Sequence, residues 1–236
     1  MSKVSVDLDS PTPYLEGDSY FYRLKRRMTY SFALKKIAAE CSNAKDPSIL
    51  EIGTGSGFFL FYARERFPGA RLTGVEYDPR LLEAAKRLAP FAECVRGNAE
   101  TFDLRPASFD VVVSFQVIEH LYDPSAMLAR VKAHLKPGGI FILTTPNLDG
   151  IGARVMGARW HALRSDHVSL KGVADWNTLV ENEGFESRYC GSTFFTGIPL
   201  MNRLPLGALN WALLAVFGAA RWRHGESYVG VFRCPS

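Results

Sequence analysis

The chain has 236 residues, 47% of them hydrophobic and 22% charged, with a formal net charge of +4. That length and apolar content suit one large globular domain, 1–236, and exclude a disordered or fibrous chain. The charge excess is too small to argue for nucleic acid, and the one dense basic cluster, Arg23, Lys25, Arg26 and Arg27, reads as the solvated face of a helix.

Cys41, Cys94, Cys190 and Cys234 lie far apart, without the paired spacing of a zinc site or the short intervals of a disulfide framework. A reducing, cytoplasmic compartment follows as the expectation. Lys3, Asp7 and Asp9 leave no apolar core of signal-peptide length at the N-terminus.

Residues 1–44 read as an arm followed by a helix. Prolines 11 and 13 mark the arm; from Tyr20 to about Cys41, Phe21, Leu24, Met28, Phe32, Ala33 and Ile37 recur at three- and four-residue steps. Residues 45–146 then alternate strands with helices. Strands are expected at Ser48–Ile52, Arg71–Glu76, Cys94–Val95, Phe109–Phe115 and Ile140–Thr145. Helices are expected at Phe58–Arg66, Pro79–Leu88 and Pro124–Leu135, with Lys136-Pro137-Gly138-Gly139 as a turn. The unbroken Val111-Val112-Val113 suits a strand buried on both faces. Such alternation means βαβ units, a parallel sheet with helices on both faces, and ligands at the carboxyl ends of the strands.

The loops after those strands carry the chemistry. After the first comes Glu51-Ile52-Gly53-Thr54-Gly55-Ser56-Gly57, whose alternate glycines let a ligand approach the main chain. A dinucleotide loop would place its third glycine where Phe58 stands, and no Gly-Lys-Ser/Thr ending is present for a triphosphate. After the second comes Glu76, with Tyr77 and Asp78. An acid there can accept hydrogen bonds from both hydroxyls of a ribose, while Asp78 before Pro79 is the better helix cap. Asn98, in Gly97-Asn98-Ala99-Glu100, is a partner for an adenine amino group. After the fourth strand come Phe115, Gln116, Glu119 and His120.

As an ordered set, these motifs resemble the class I S-adenosylmethionine-dependent methyltransferases over about residues 45–190. The glycine loop, Val75-Glu76-Tyr77-Asp78, the Asn98 segment, Phe109–Val112 with Val117–Leu121, and Leu135–Gly139 carry the likeness. Within the family, Ile118-Glu119-His120 and Thr144-Thr145-Pro146-Asn147 are most similar to ubiquinone-biosynthesis-type small-molecule O-methyltransferases. The resemblance implies a Rossmann-like α/β fold, with a seven-stranded, mostly parallel sheet whose last strand, Tyr228–Cys234, runs antiparallel beside strand five. It implies S-adenosylmethionine as cofactor, held by Glu51, Gly53, Thr54, Gly55, Gly57, Glu76, Tyr77, Asn98, Ala99, Phe115, Gln116 and His120. Tyr22 is in a position to close over it. Quinol-methylating relatives carry an acid three residues before the Glu-His pair that helps hold a divalent ion. Gln116 is a weaker ligand for a hard cation, so no metal is expected.

Residues 147–236 form the substrate side. His161 and His167 are the candidate bases for an alcohol or phenol acceptor, since an imidazole titrates near neutrality, and Asp166 is in reach to raise the basicity of His167 if their side chains meet. A helix is expected at Ala174–Glu183 and a sixth strand near Phe185–Cys190. Residues 199–223 carry no charge between Arg203 and Arg221, too short a run to span a bilayer. Buried helix, lid over an apolar substrate, and interfacial helix at a membrane surface all stay open for it. The leading expectation is O-methylation of a small lipophilic alcohol or phenol; N- or C-methylation and a catalytically silent cofactor-binding scaffold are the alternatives.

Overall fold

The computed structural model describes residues 20–41, 46–193, 198 and 205–235. The N-terminal arm, Arg203 and the side chain of Tyr22 lie outside the described residues.

Helix α1 (Tyr20–Glu40) leads into β1 (Ser48–Ile52), α2 (Phe58–Arg66), β2 (Arg71–Glu76), α3 (Pro79–Leu88), β3 (Glu93–Arg96) and β4 (Phe109–Phe115). After a 3-10 turn at Ile118–His120 come α4 (Pro124–His134), β5 (Leu135–Pro146), α5 (Ile151–Met156), α6 (Val173–Asn182) and β6 (Glu186–Thr193). The chain then forms α7 (Leu206–Phe217), β7 (Ala219–Ala220) and β8 (Ser227–Arg233). The sheet order is β3-β2-β1-β4-β5-β8-β6-β7. β1 to β5 run parallel, and β8 enters antiparallel between β5 and β6, with Ile142 opposite Val231.

Among the described residues the sheet has eight strands where seven are expected. The extra one, β7, is two residues long and pairs with the end of β6, Thr193 opposite Ala219. The chain leaving the apolar segment runs back along an edge with free backbone groups, which makes the added pairing favourable. The Lys136–Gly139 turn also falls inside β5: Leu135 pairs with Phe109 and the register slips before Ile140 meets Val111, a bulge rather than a break.

Alternation along the strands builds two cores. Val111 and Val113 of β4 face Ile49, Ile140, Ile142 and Val231, packed under Ala33 and Ile37 of α1 and Phe59, Leu60 and Ala63 of α2. Val112 faces Leu50, Phe141 and Phe232, under Met127, Leu128 and Val131 of α4 and Trp176 and Val180 of α6. Each buried Leu, Ile, Val or Phe side chain stabilises the fold by about 1.5–3 kcal/mol. The helices begin where the sequence supplies caps. Asp78 Oδ1 accepts the Arg80 N–H at 2.8 Å and Asp123 Oδ1 accepts the Ala126 N–H at 3.1 Å, each ahead of a proline at the first helical position.

Candidate active site

A cleft of about 910 Å³ opens at the carboxyl ends of β1, β2, β4 and β5. On one side lies the glycine loop. Gly53, Gly55 and Gly57 have φ of +73°, +55° and +85°, the left-handed region that side chains disfavour. A Cβ on Gly53 would overlap Val117 Cγ2, whereas one on Gly55 would meet nothing within 4 Å and project into open space. Gly57 departs from the expectation. It is not part of the cleft lining; it caps α2, and a Cβ there would stand 3.1 Å from Ala85 Cα. Its smallness lets α2 and α3 pack closely.

Glu51 and Glu76 bring two buried carboxyls to this side of the cleft. Glu76 is less free than its place in the sequence suggests. Its Oε2 accepts the Gly55 N–H at 2.7 Å, and Oε1 accepts those of Tyr77 and Asp78, both at 2.9 Å. A carboxylate has about four acceptor sites, so roughly one remains for a ligand hydroxyl, and a two-hydroxyl grip requires one backbone bond to yield. Glu51 Oε2 accepts the Thr54 hydroxyl at 2.5 Å. Burial pushes the Glu51 carboxyl well above the usual range, the Thr54 bond opposes this and the Glu76 charge adds to it.

Tyr77, Asn98, Ala99, Phe115 and Gln116 all line the cleft. Asn98 Oδ1 is taken by the Glu100 N–H at 2.7 Å, so its amide NH₂, not its oxygen, is the freer group toward a base. Phe115 stands 5.0 Å, centroid to centroid, from both Tyr30 and Phe59. Gln116 holds φ +57° and turns its amide toward Thr144.

The other side carries imidazoles. His120, His161 and His167 all line the cleft. His120 Nδ1 bonds the Asp166 carbonyl at 2.9 Å and His167 Nδ1 the Ala162 carbonyl at 2.7 Å. A carbonyl only accepts, so both rings carry the proton on Nδ1 and leave Nε2 as the lone-pair nitrogen. Their planes meet edge to face at 4.6 Å. Asp166 raises the His167 pKa through its charge, while the His167 Nδ1 bond goes to Ala162. Its carboxylate pairs with Arg164 and approaches His120 at 3.6 Å. Burial and the neighbouring His120 hold the His167 pKa below the usual value.

Beneath these rings Glu119 is 1% exposed. Its Oε2 accepts the Thr145 hydroxyl at 2.9 Å, its Oε1 has no hydrogen-bond partner, and burial raises its pKa to about 7. Ligand atoms of Glu119, His120 and His167 lie within 4.8 Å of one another. The expectation of no metal rested on Gln116. Here His167, distant in sequence, completes a three-donor set instead.

Three features escaped sequence reasoning. Lys25 and Arg26 line the cleft, although their cluster reads as a solvated face. Arg26 lies over the Phe58 ring at 4.1 Å. Glu226, 2% exposed, accepts the Trp160 indole N–H at 2.9 Å and lies 3.2 Å from His161 Nε2. Within the apolar segment, Leu206–Phe217 form α7, which buries Gly207 and Asn210 and exposes Leu209 and Val216 at 55% and 75%. Among the described residues α7 is neither wholly buried nor part of the cleft lining, and 199–204 of the segment lie outside them. No described helix is long and apolar enough to cross a membrane.

Comparison with known proteins follows the same lines. A Mycolicibacterium smegmatis protein named "probable S-adenosylmethionine-dependent methyltransferase" is 29% identical over 174 residues, 74% of this chain and 62% of that protein. A ubiquinone biosynthesis O-methyltransferase of Cereibacter sphaeroides is 32% identical over 138 residues, 56% of this chain and 53% of the relative. The chain thus spans little more than half the length of these curated relatives. The solved structure of an S-adenosylmethionine-dependent methyltransferase from Mesorhizobium loti matches 87% of this chain and 97% of its own, with a TM-score of 0.62 at 17% identity, a likeness of fold. Residues 22–189 match the family model described as a methyltransferase domain, and the chain belongs to that family, whose cofactor is S-adenosylmethionine.

Proposed function

We propose that the protein transfers the methyl group of S-adenosylmethionine to a hydroxyl of a small, lipophilic alcohol or phenol, quinol-like or of natural-product type. The observation that carries this is one cleft with two chemically distinct sides, carboxyls on the glycine-loop side and imidazoles opposite. In this reading Glu76 accepts from the ribose, Asn98 and Ala99 meet the adenine, and the Gly53–Gly55 backbone lies against the ligand. Glu51 faces its cationic amino acid portion. The cofactor supplies an activated methyl carbon; the chain aligns donor and acceptor, excludes water with Phe58, Phe115, Val117 and Leu121, and takes a proton on His161 or His167. The similarity to a ubiquinone biosynthesis O-methyltransferase and to a demethylmenaquinone methyltransferase of Chlorobaculum tepidum supports an acceptor with an apolar body. The test is incubation with isotopically labelled methyl donor and cell extract, then mass spectrometry. A labelled lipophilic O-methyl product is expected; label only on nitrogen or carbon, or none, defeats the proposal.

Glu119 favours one variation on this reading. Its unpartnered Oε1, with the two Nε2 lone pairs of His120 and His167, fits a divalent ion of borderline softness, which a diol acceptor would chelate. Calorimetric titration with zinc or manganese should show one site, lost in His167→Ala.

For α7 the proposal is a peripheral contact with a membrane surface. Its outward face carries Leu206, Leu209 and Val216, and Arg221 and Arg223 follow.

A further inference from the structure

His161 and His167 both line the cleft and each has a buried carboxyl near it, Glu119 beneath His167 and Glu226 behind His161, but only Glu226 stands at ion-pair distance from its ring. Glu226 sits just before β8, 2% exposed, and is fixed from two sides. The Trp160 indole N–H donates to its Oε1 at 2.9 Å, and its backbone carbonyl accepts the Asn147 N–H at 3.0 Å. Asn147, itself fully buried, clamps the same segment by donating from Nδ2 to the carbonyls of Arg223 and Gly225, at 2.9 and 2.8 Å. Glu226 is therefore held before any ligand arrives. His161 Nε2 stands 3.2 Å from its Oε1 while the His161 side chain keeps 60% of its surface open. A carboxylate facing Nε2 favours the proton there, which makes Nδ1 the basic nitrogen of a ring that lines the cleft. His167 has the opposite arrangement, with its Nδ1 proton spent on Ala162.

We propose that Glu226 is a positioning residue for the transfer reaction: it fixes His161 so that Nδ1 takes the proton of the acceptor hydroxyl, with Lys25 of α1 offsetting the Glu226 charge. This rests on the proposed O-methylation. In the step, the O–H proton passes to Nδ1 and an oxygen electron pair forms the bond to the methyl carbon. The pair of the broken S–C bond stays on sulfur, and the imidazolium returns its proton to water through its open face.

The charges that bear on His161 come from two other elements, Glu226 before β8 and Lys25 of α1. Arg164, paired with Asp166, and His167 belong to its own loop. Burial lowers the His161 pKa, Glu226 raises it and Lys25 lowers it again, so the ring is neutral and able to accept a proton near pH 7. Burial likewise lowers the pKa of Lys25, and Glu226 opposes that.

The opposite signs of the two neighbours give a test that a merely structural role does not mimic. In the ligand-free protein with labelled histidine, NMR should show His161 as the Nε2–H tautomer. Its pKa should fall in Glu226→Gln and rise in Lys25→Met, with His167 unmoved. In protein saturated with S-adenosylhomocysteine, bound 4-nitrocatechol should absorb as the catecholate about one unit below its own pKa. That band should fall about tenfold in His161→Gln and Glu226→Gln, and recover in part in Glu226→Asp. Equal pKa values in wild type, Glu226→Gln and Lys25→Met would overturn the proposal. So would a probe spectrum that stays that of the neutral phenol in wild type. Should Glu226→Gln not fold, Lys25→Met and Trp160→Phe carry the same comparison. Failure of S-adenosylhomocysteine to bind, read separately by calorimetry, counts against the proposed function and leaves the histidine titrations to decide the pairing.

Discussion

Gly53 and Gly55 stand two residues apart in one loop, both at positive φ, yet an added methyl group meets different surroundings at each. Gly55→Ala carries only the backbone strain of a left-handed residue, about 1–2 kcal/mol, because nothing lies within 4 Å of the new Cβ. Gly53→Ala carries the same strain plus an overlap with Val117 Cγ2, which adds about 1–3 kcal/mol of overpacking. The sum is about 2–5 kcal/mol, a large part of the stability of an ordinary domain. Binding should follow the reverse logic. Gly55 lines the cleft, and on the proposed reading the methyl of Gly55→Ala meets the ligand there and should weaken S-adenosylhomocysteine by tenfold or more, about 1.4 kcal/mol. Urea denaturation of the ligand-free variants gives the first quantity and calorimetry the second. The reasoning fails if Gly55→Ala binds as tightly as wild type, or if the two variants are equally destabilised.

Glu76→Gln should weaken S-adenosylhomocysteine about ten- to hundredfold, the worth of one hydrogen bond to a charged group, about 1.5–3 kcal/mol; unchanged affinity by calorimetry contradicts the ribose contact. Glu119 gives a pH dependence. Its folded pKa, about 7, lies above that of the unfolded chain, so the folded state binds the extra proton. Its contribution is therefore present below the unfolded value near 4.3 and is lost as pH rises to about 7, roughly 4 kcal/mol in all. Denaturation in a metal chelator across that window should show the loss in wild type and not in Glu119→Gln. Leu209→Asp with Val216→Asp should leave the thermal midpoint within a few degrees and abolish cosedimentation with anionic vesicles. Equal sedimentation of the double variant contradicts the membrane contact.

The sheet and the cleft were legible because local pattern and global burial agree there. β1, β2 and β4 begin and end where the apolar runs do, and Asp78 and Asp123 cap helices where a proline follows. Contacts that depend on which distant segments meet were not legible. Lys25 and Arg26 form a basic run by sequence and a cleft wall in space, since α1 packs beside α2. Glu226 has no local signature at all; its place beside His161 appears only once β8 is inserted next to β5. Asp166 acts on His167 through its charge while its carboxylate bonds Arg164, a choice of partner that sequence adjacency does not reveal. In α7 the composition left three readings open, and the helix buries Gly207 and Asn210 while Leu206 and Leu209 stay exposed, an orientation set by tertiary packing.

The central claim is that the loop from Glu51 to Gly55, with Glu76 behind it, holds S-adenosylmethionine in the cleft. Calorimetric titration of the purified protein with S-adenosylhomocysteine tests it most directly. One site per chain with micromolar affinity is expected, weakened in Gly55→Ala and Glu76→Gln. No binding at high micromolar concentration, or binding indifferent to both substitutions, contradicts the account.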